Sequence, residues 1–238
     1  MKYKNINSPE LSSAGLNLVA SIAWDSLPAE ILDKFDISKL TICQPSCLIL
    51  IGHAGRALWS SIPSTQFQQA DPIDSFSRSA ATRFAERLLG SGHYQFLYPG
   101  IDTPPLQALG RLVGWHQDSP LGIGINTQWG LWFAYRALLI TDRELPETTP
   151  LGGGNPCHTC SSKACIANCR GDALSRETGL DLKTCAAYRL RPASPCAESC
   201  PARLACPVAS QHRYSSEQVR YHYRKSLETL QHFYGKTD

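Results

Sequence analysis

Eight of the ten cysteines of this 238-residue chain fall within fifty residues: Cys157, Cys160, Cys165, Cys169, Cys185, Cys196, Cys200 and Cys206. The segment reads C-x2-C-x4-C-x3-C, then a lone cysteine, then C-x3-C-P-x4-C-P. Eight thiolates are the ligand count of two four-iron, four-sulfur clusters, because each cubane takes four. No other stretch narrows the chemistry of the chain as much.

Three readings of the cysteines compete on spacing alone. A disulfide framework calls for an oxidising compartment. The stretch Met1 to Glu10 carries two lysines, but no apolar run follows, so a secretory signal is not expected. Structural zinc also accepts C-x2-C pairs. Iron–sulfur ligation is favoured by the C-x3-C step from Cys165 to Cys169 and by the prolines after Cys200 and Cys206, which echo the ferredoxin run ending C-x3-C-P. Cys169 is followed by Arg170 instead, and the middle spacing is four rather than two. Cys43 and Cys47 stand apart and read as small apolar residues at a strand start.

Composition sets looser bounds. The chain is long enough for one sizeable core with a small appendage. No apolar run reaches the length that spans a bilayer. A net charge of +3 is too small to argue for nucleic acid or an anionic membrane. Reduced cysteines without an export signal point to the cytoplasm.

Patterning predicts a helix from Ser8-Pro9-Glu10 towards Trp24 on the spacing of Leu11, Leu18, Val19 and Ile22. A second short helix is predicted over Pro28 to Phe35. Cys47 to Ile51 reads as a strand, closed by the turn Gly52-His53-Ala54-Gly55. Asp71-Pro72 opens a helix whose stripe is Ile73, Phe76, Ala80, Phe84 and Leu88, and Gly90 stops it. Further elements are a strand at His93 to Tyr98, a helix at Pro105 to Trp115, and strands at Leu121 to Asn126 and Leu131 to Thr141. Pro146 to Pro156 reads as a linker. Ser215 to Tyr234 reads as a helix capped at Ser215 or Ser216, with Tyr221, Tyr223, Phe233 and Tyr234 packed on it. Strands and helices mix without a βαβ rhythm, which indicates an α+β, layered α/β fold. The organisation expected is a domain over 1–150, a cysteine-rich segment over 151–210 and a C-terminal helix over 211–238 that packs back on the first domain. Neither a dinucleotide-binding G-x-G-x-x-G nor a phosphate loop is present.

Arg136 lies in the apolar run Leu131 to Ile140. Strict alternation places it on one face with Trp132, Ala134, Leu138 and Ile140. A charge there needs a partner. Either an internal salt bridge or an anion-binding fork meets that need. His53 reads as a turn residue. His116, after Trp115, is a lesser substrate-site candidate.

Several stretches resemble the CblC-type cobalamin-processing proteins, which carry a flavin-reductase or nitroreductase-like fold. Residues 71–84 (DPIDSFSRSAATRF) are similar to that family's D-P-[VI]-D helix. Residues 104–118 (PPLQALGRLVGWHQD) sit where the family has a helix leading into its pocket. Residues 126–140 (NTQWGLWFAYRALLI) resemble its G-G-W-F-A-[IV]-R strand, and 212–219 (HRYSSEQV) its E-R-Y-S-E-E-Q segment. The cysteine segment resembles instead the two-cluster ferredoxin module of epoxyqueuosine reductases and reductive dehalogenases, which also place a lone cysteine in a C-x-x-Y context, here Cys185 to Tyr188. This chain departs from that module at the third ligand, after Cys169 and throughout the last triplet.

The resemblance implies two four-iron clusters, with Cys206 completing the first and Cys169 the second, and cobalamin as the bound molecule, with FMN as the alternative cofactor. It implies that Arg136 and Arg213 hold glutathione or the corrin periphery. Trp132 and Phe133 would line the apolar cavity, Tyr135 replaces an aliphatic residue, and Tyr214 and His116 join the binding set. The expected function is reduction of a corrinoid or removal of its upper ligand. A non-catalytic cobalamin chaperone with a structural metal site and an FMN-dependent reductase are the alternatives. The expected partners are a corrinoid and an electron donor or glutathione. A homodimer is compatible with the chain, and neither nucleic acid nor a membrane is expected.

Overall fold

A computed structural model of the chain describes residue 6 and residues 8–100 and 103–235. Most of the basic start of the chain, on which the export-signal reading rests, lies outside the described residues. The chain divides into two compact units. The first is Met1–His116 with Phe133–Gly152, and the second is Gln117–Trp132 with Gly153–Asp238.

The first unit runs α1 (Pro9–Ser13), β1 (Leu18–Ala23), α2 (Ala29–Leu32), β2 (Cys47–Ala54), α3 (Ala57–Ser61), α4 (Pro72–Leu88), β3 (Tyr94–Tyr98), α5 (Leu106–Leu112) and β4 (Phe133–Thr141). Its four strands form one antiparallel sheet in the order β1-β2-β4-β3. Every residue of β2 is buried, so this central strand is covered on both faces and reads as a continuous apolar run rather than an alternation. Leu50 pairs with Ala20 on one side and Leu138 on the other, and all three are fully buried. Leu50→Ala leaves a cavity between these strands. It is expected to cost about 2–5 kcal/mol, read as a lower denaturant midpoint at unchanged slope.

The first element differs from its sequence reading. The helix that starts at Pro9, with the Ser8 hydroxyl accepting from the Leu11 amide at 3.3 Å, ends at Ser13. Gly15 then turns the chain with φ +70°. Leu18, Ala20 and Ile22 alternate inward on β1, so the spacing taken as helical is that of a strand. β2 also runs further than predicted. His53 is a fully buried strand residue, not a turn residue. α4 and its stop at Gly90, in the left-handed region, are as the pattern indicates.

Pro146 to Thr148 do not hang free as a linker. The Thr148 amide donates to the Ser21 carbonyl at 3.0 Å, and the Ser21 amide donates to the Thr148 hydroxyl at 2.9 Å. The Ser21 hydroxyl bonds the Pro146 carbonyl. These contacts occupy the outer edge of β1, which would otherwise offer unpaired backbone groups.

The second unit carries α6 (Pro156–Thr159), α7 (Ala164–Ala167), α8 (Leu182–Arg189), α9 (Pro201–Leu204) and α10 (Ser216–Tyr234). No strand forms over Leu121 to Asn126. Ile125 and Asn126 make isolated bridges to Gln117 and Gly130 instead. Boundaries drawn from composition at 150 and 210 therefore do not coincide with the two units, since residues 117–132 and α10 group with the cysteines. The Ser215 hydroxyl caps α10 by accepting from the Gln218 amide at 3.1 Å. Tyr223 packs on this helix as expected, whereas Phe233 is 72% exposed. No helix among the described residues is long and apolar enough to cross a membrane.

Candidate functional site

The cysteines of the second unit are set out on short, separately capped turns. The Asn155 side chain accepts from the Cys157 amide at 2.9 Å and, with Pro156 at the first position, starts α6. Cys165 lies in α7. Cys185 lies in α8, which Asp181 caps by accepting from the Thr184 amide at 3.0 Å. The Cys200 sulfur itself caps α9, taking the Arg203 amide at 3.4 Å. The Cys169 sulfur accepts from the Ala173 amide at 3.3 Å. All ten cysteines of the chain are free thiols, with no disulfide among them.

The eight thiols fall into two groups by mutual electrostatic influence. Burial pushes the Cys157 thiol up, and Cys206, Cys165 and Cys160 push it further in the same direction. Cys206 is raised by burial and then by Cys165 and Cys160. In the other group, burial raises Cys196, with Cys200, Cys169 and Cys185 adding to it. Burial likewise raises Cys185, with Cys200 and Cys169 adding to it, while the Arg189 guanidinium opposes the rise. By these influences one quartet is Cys157, Cys160, Cys165 and Cys206 and the other Cys169, Cys185, Cys196 and Cys200, whereas packing sets Cys169 and Cys200 against the apolar cluster that holds Cys165.

Two sets of four thiols match the donor set of two cubane clusters. Among the described residues, no group of three or more His, Cys, Asp or Glu is gathered closely enough to hold a single metal ion. Raised thiols are protonated in the metal-free protein, so loading any metal releases protons. Cys160 differs. It is little buried, and its hydrogen bond with Ser162 holds the thiol below the usual range.

Basic side chains stand beside both quartets. The Lys163 ammonium bonds the Cys157 carbonyl. Arg213 reaches the Cys206 carbonyl at 3.4 Å and draws that thiol down against its burial. Trp132 is fully buried in the second unit, packed with Tyr214, Val219, Leu204 and Tyr223. Its indole N–H has no acceptor among the described residues. The guanidinium groups of Arg203 and Arg213 lie 4.7 and 5.9 Å from its ring, and the Tyr214 ring meets it edge-on at 5.3 Å.

The other sequence-derived candidates lie in the first unit. β4 carries one residue more than β2 between Tyr135 and Ala137, since Ile51 faces Ala137 and Gly52 faces Tyr135. Arg136 is that extra residue, and such a bulge re-aims a side chain. Its Nε donates to His53 Nδ1 at 3.0 Å, and Nη1 lies 3.5 Å from the Asp74 carboxylate. His53 faces away from Leu50 and Leu48, the partners of Leu138 and Ile140, so Arg136 does not share a face with Leu138 and Ile140 as strict alternation predicts. The internal ion pair is the partner that the sequence reading required. The neighbouring Tyr98 hydroxyl is pushed up by burial and by Asp74, and pulled down by Arg136. The Tyr135 hydroxyl contacts His116 Nδ1 at 3.3 Å, and the Tyr135 ring stacks on Trp115 and meets Phe133 edge-on. Burial drives the Tyr135 hydroxyl far above its usual range, so it acts as a neutral donor or acceptor.

Two residues beside the second quartet escape the sequence reading. The Arg189 guanidinium is buried and donates to the carbonyls of Cys196 (3.0 Å), Ala197 (3.2 Å) and Tyr223 (2.9 Å), and to the Ser226 hydroxyl (2.7 Å). The Tyr223 ring lies 4.9 Å from the Arg189 guanidinium, and burial pushes its hydroxyl far above the usual range. Arg189 lies one helical turn after Cys185 in α8, a spacing visible in the sequence. Nothing in the sequence marks Tyr223.

No family of known sequences matches the chain, and no curated protein matches it. Solved structures do. An epoxyqueuosine reductase from Streptococcus thermophilus is 14% identical with a TM-score of 0.56, over 84% of this chain and 64% of that one. The catabolic reductive dehalogenase NpRdhA is 13% identical with a TM-score of 0.54, over 96% of this chain and 36% of that one. A B12-trafficking protein, CblC, from C. elegans is 14% identical with a TM-score of 0.52, over 93% of this chain and 91% of that one. The chain thus spans under two thirds of the reductases and nearly all of the trafficking protein. At these identities the likeness is one of architecture, and the chain has the α+β fold common to the epoxyqueuosine reductases, the reductive dehalogenases and CblC.

Proposed function

We propose that the protein binds a corrinoid and, through iron–sulfur clusters, reduces it or removes its upper ligand. The observation that carries this reading is the gathering of eight free cysteines in one unit of a fold shared with a B12-trafficking protein and with a dehalogenase described as B12-dependent. Cys157, Cys160, Cys165 and Cys206 would hold one cluster, and Cys169, Cys185, Cys196 and Cys200 the other. Such clusters supply one-electron transfer at low potential. The protein contributes burial of the thiols, N–H donors to the Cys169 and Cys200 sulfurs, and cationic side chains beside both quartets. In the reaction one electron from an external carrier protein takes the corrinoid cobalt from the trivalent to the divalent state, and the upper ligand leaves with its bonding pair.

A carrier without turnover is the second reading, favoured by the near-complete mutual coverage with the trafficking protein. Glutathione is the thiol partner that such a carrier would take.

Anaerobic purification followed by iron and zinc analysis and addition of hydroxocobalamin tests both readings. About eight irons per chain, with the corrinoid spectrum moving to the base-off form, is expected. Corrinoid binding with zinc in place of iron leaves the carrier. Yellow flavin colour without any corrinoid shift overturns both.

A further inference from the structure

We infer that a second copy of this chain pairs with it along the outer edge of β3, with Tyr94 and Phe96 of each copy bonding across a two-fold axis at Gln95. The inference goes beyond the corrinoid reading above and does not depend on it.

β3 lies at one end of the sheet order β1-β2-β4-β3, and the edge at the other end is already occupied by Pro146 to Thr148. The direction of the β3 backbone groups follows from its neighbour. The Thr141 carbonyl accepts from the Ser46 amide at 2.8 Å, so the backbone groups of Thr141 point towards β2. Those of Ile140 then point towards β3 and those of Leu139 back to β2, because the direction alternates along an antiparallel strand. Gln95 faces Ile140, whereas Tyr94 faces Thr141 and Phe96 faces Leu139. Gln95 therefore bonds β4, and the amides and carbonyls of Tyr94 and Phe96 point out of the sheet. None of these groups has a hydrogen-bond partner among the described residues.

The faces of the strand are held while its edge is open. The Arg78 guanidinium lies 4.2 Å from the Phe96 ring, which meets the Tyr94 ring edge-on at 6.0 Å. On the opposite face the Gln95 side chain accepts from the Thr41 amide at 2.6 Å and donates to the Lys39 carbonyl at 3.0 Å. Natural edges commonly carry a charge or a proline against pairing. Tyr94–Tyr98 reads YQFLY and has neither. Its outward groups are also self-complementary. Turned about an axis through Gln95, Tyr94 meets the partner's Phe96 and exchanges both N–H···O bonds with it, and the symmetric pair does the same. This register sets Tyr94 against Phe96 in a cross-strand aromatic pair on either side of the axis. The extra residue at Leu97 and then Pro99, which has no N–H, end the pairing, so the interface is small and reversible.

The test is hydrogen–deuterium exchange of the full wild-type chain under reducing conditions at low and high protein concentration, with sedimentation velocity on the same samples. The chain is expected to pass from monomer to dimer. The Tyr94 and Phe96 amides, open to water in the monomer, are expected to exchange at least about tenfold more slowly in the dimer. Tyr94→Pro removes an outward donor without costing the sheet a bond to β4, so it is expected to keep the fold and abolish the dimer. Gln95→Glu keeps the acceptor for Thr41 and sets two carboxylates against each other across the axis, which should raise the dissociation constant about fivefold. A dimer whose Tyr94 and Phe96 amides stay unprotected overturns the inference. A chain that remains monomeric at high concentration overturns it as well, and leaves the edge to a strand of another protein. Both of those results come from the wild-type chain, so the test holds even if Tyr94→Pro fails to fold. A chain without iron or corrinoid binding removes the earlier reading and leaves this one in place.

Discussion

Cys185→Ala is expected to halve the iron of the reconstituted protein, from about eight atoms to about four, while leaving the other cluster spectroscopically intact. Cys206→Ala should give the same loss of iron but remove the opposite signal, although Cys206 is nearer in sequence to Cys200 than to Cys165. The reason is the grouping of the thiols. Cys206 acts on Cys157, whereas Cys185 acts on Cys196 together with Cys200 and Cys169. Cys169→Ala should therefore match Cys185→Ala, and Cys157→Ala should match Cys206→Ala. The exposed Cys43 belongs to neither quartet, and Cys43→Ala should retain all the iron. Iron analysis with low-temperature electron paramagnetic resonance of the dithionite-reduced proteins decides the matter. If Cys169→Ala removed the same signal as Cys157→Ala, the assignment of thiols to quartets would be wrong.

The second large effect concerns the sheet unit. Gly15 has φ +70°, and a Cβ built on it would stand 2.3 Å from the Ala57 carbonyl carbon and from the Leu58 amide nitrogen. Both are backbone atoms at the start of α3, and Leu58 is buried beneath them. Gly15→Ala therefore combines a disfavoured backbone region with an overlap that no rotamer change relieves. The expected loss is roughly 3 kcal/mol or more, a large share of the total stability of an ordinary domain. Gly92 is the control. It has φ +81° but nothing within 4 Å of an added Cβ, so Gly92→Ala should cost about 1–2 kcal/mol, from the backbone alone. Equal midpoints for the two variants in urea would mean that the overlap at Gly15 is relieved in some way the fold does not reveal.

The legible parts of the fold are those where one signal dominates. Cys47 to Ile51 is too apolar and too short for anything but a buried strand, and Pro72 to Leu88 has a proline start, a stripe and a glycine stop. α10 announces itself by the Ser215 cap. β1 was obscured because Leu18, Val19 and Ile22 satisfy helical spacing and, with Ala20, strand alternation equally well; pairing with β2 decides between them. The alternating residues before Asn126 lack a partner strand, and alternation without a partner gives only bridges. The face of Arg136 was misread because a bulge shifts the phase of a strand without leaving a mark in composition. The eight clustered cysteines stand in plain view in the sequence. The environment of the second quartet does not, since the bond from the Arg189 guanidinium to the Tyr223 carbonyl joins residues 34 positions apart on different elements.

The cysteine-bearing unit is assembled from two stretches of chain separated by β4 and the segment that edges β1. Trp132, about which Arg203 and Tyr214 gather, leaves the ribosome 71 residues before the first and 82 before the second. Until α10 emerges, that indole has no pocket, and the thiols from Cys157 onward have no closed framework around them. A closed framework around the thiols therefore forms only once α10 has emerged, and before that the nascent cysteines pass through a stage in which their protection from oxidation must come from the cell rather than from the fold.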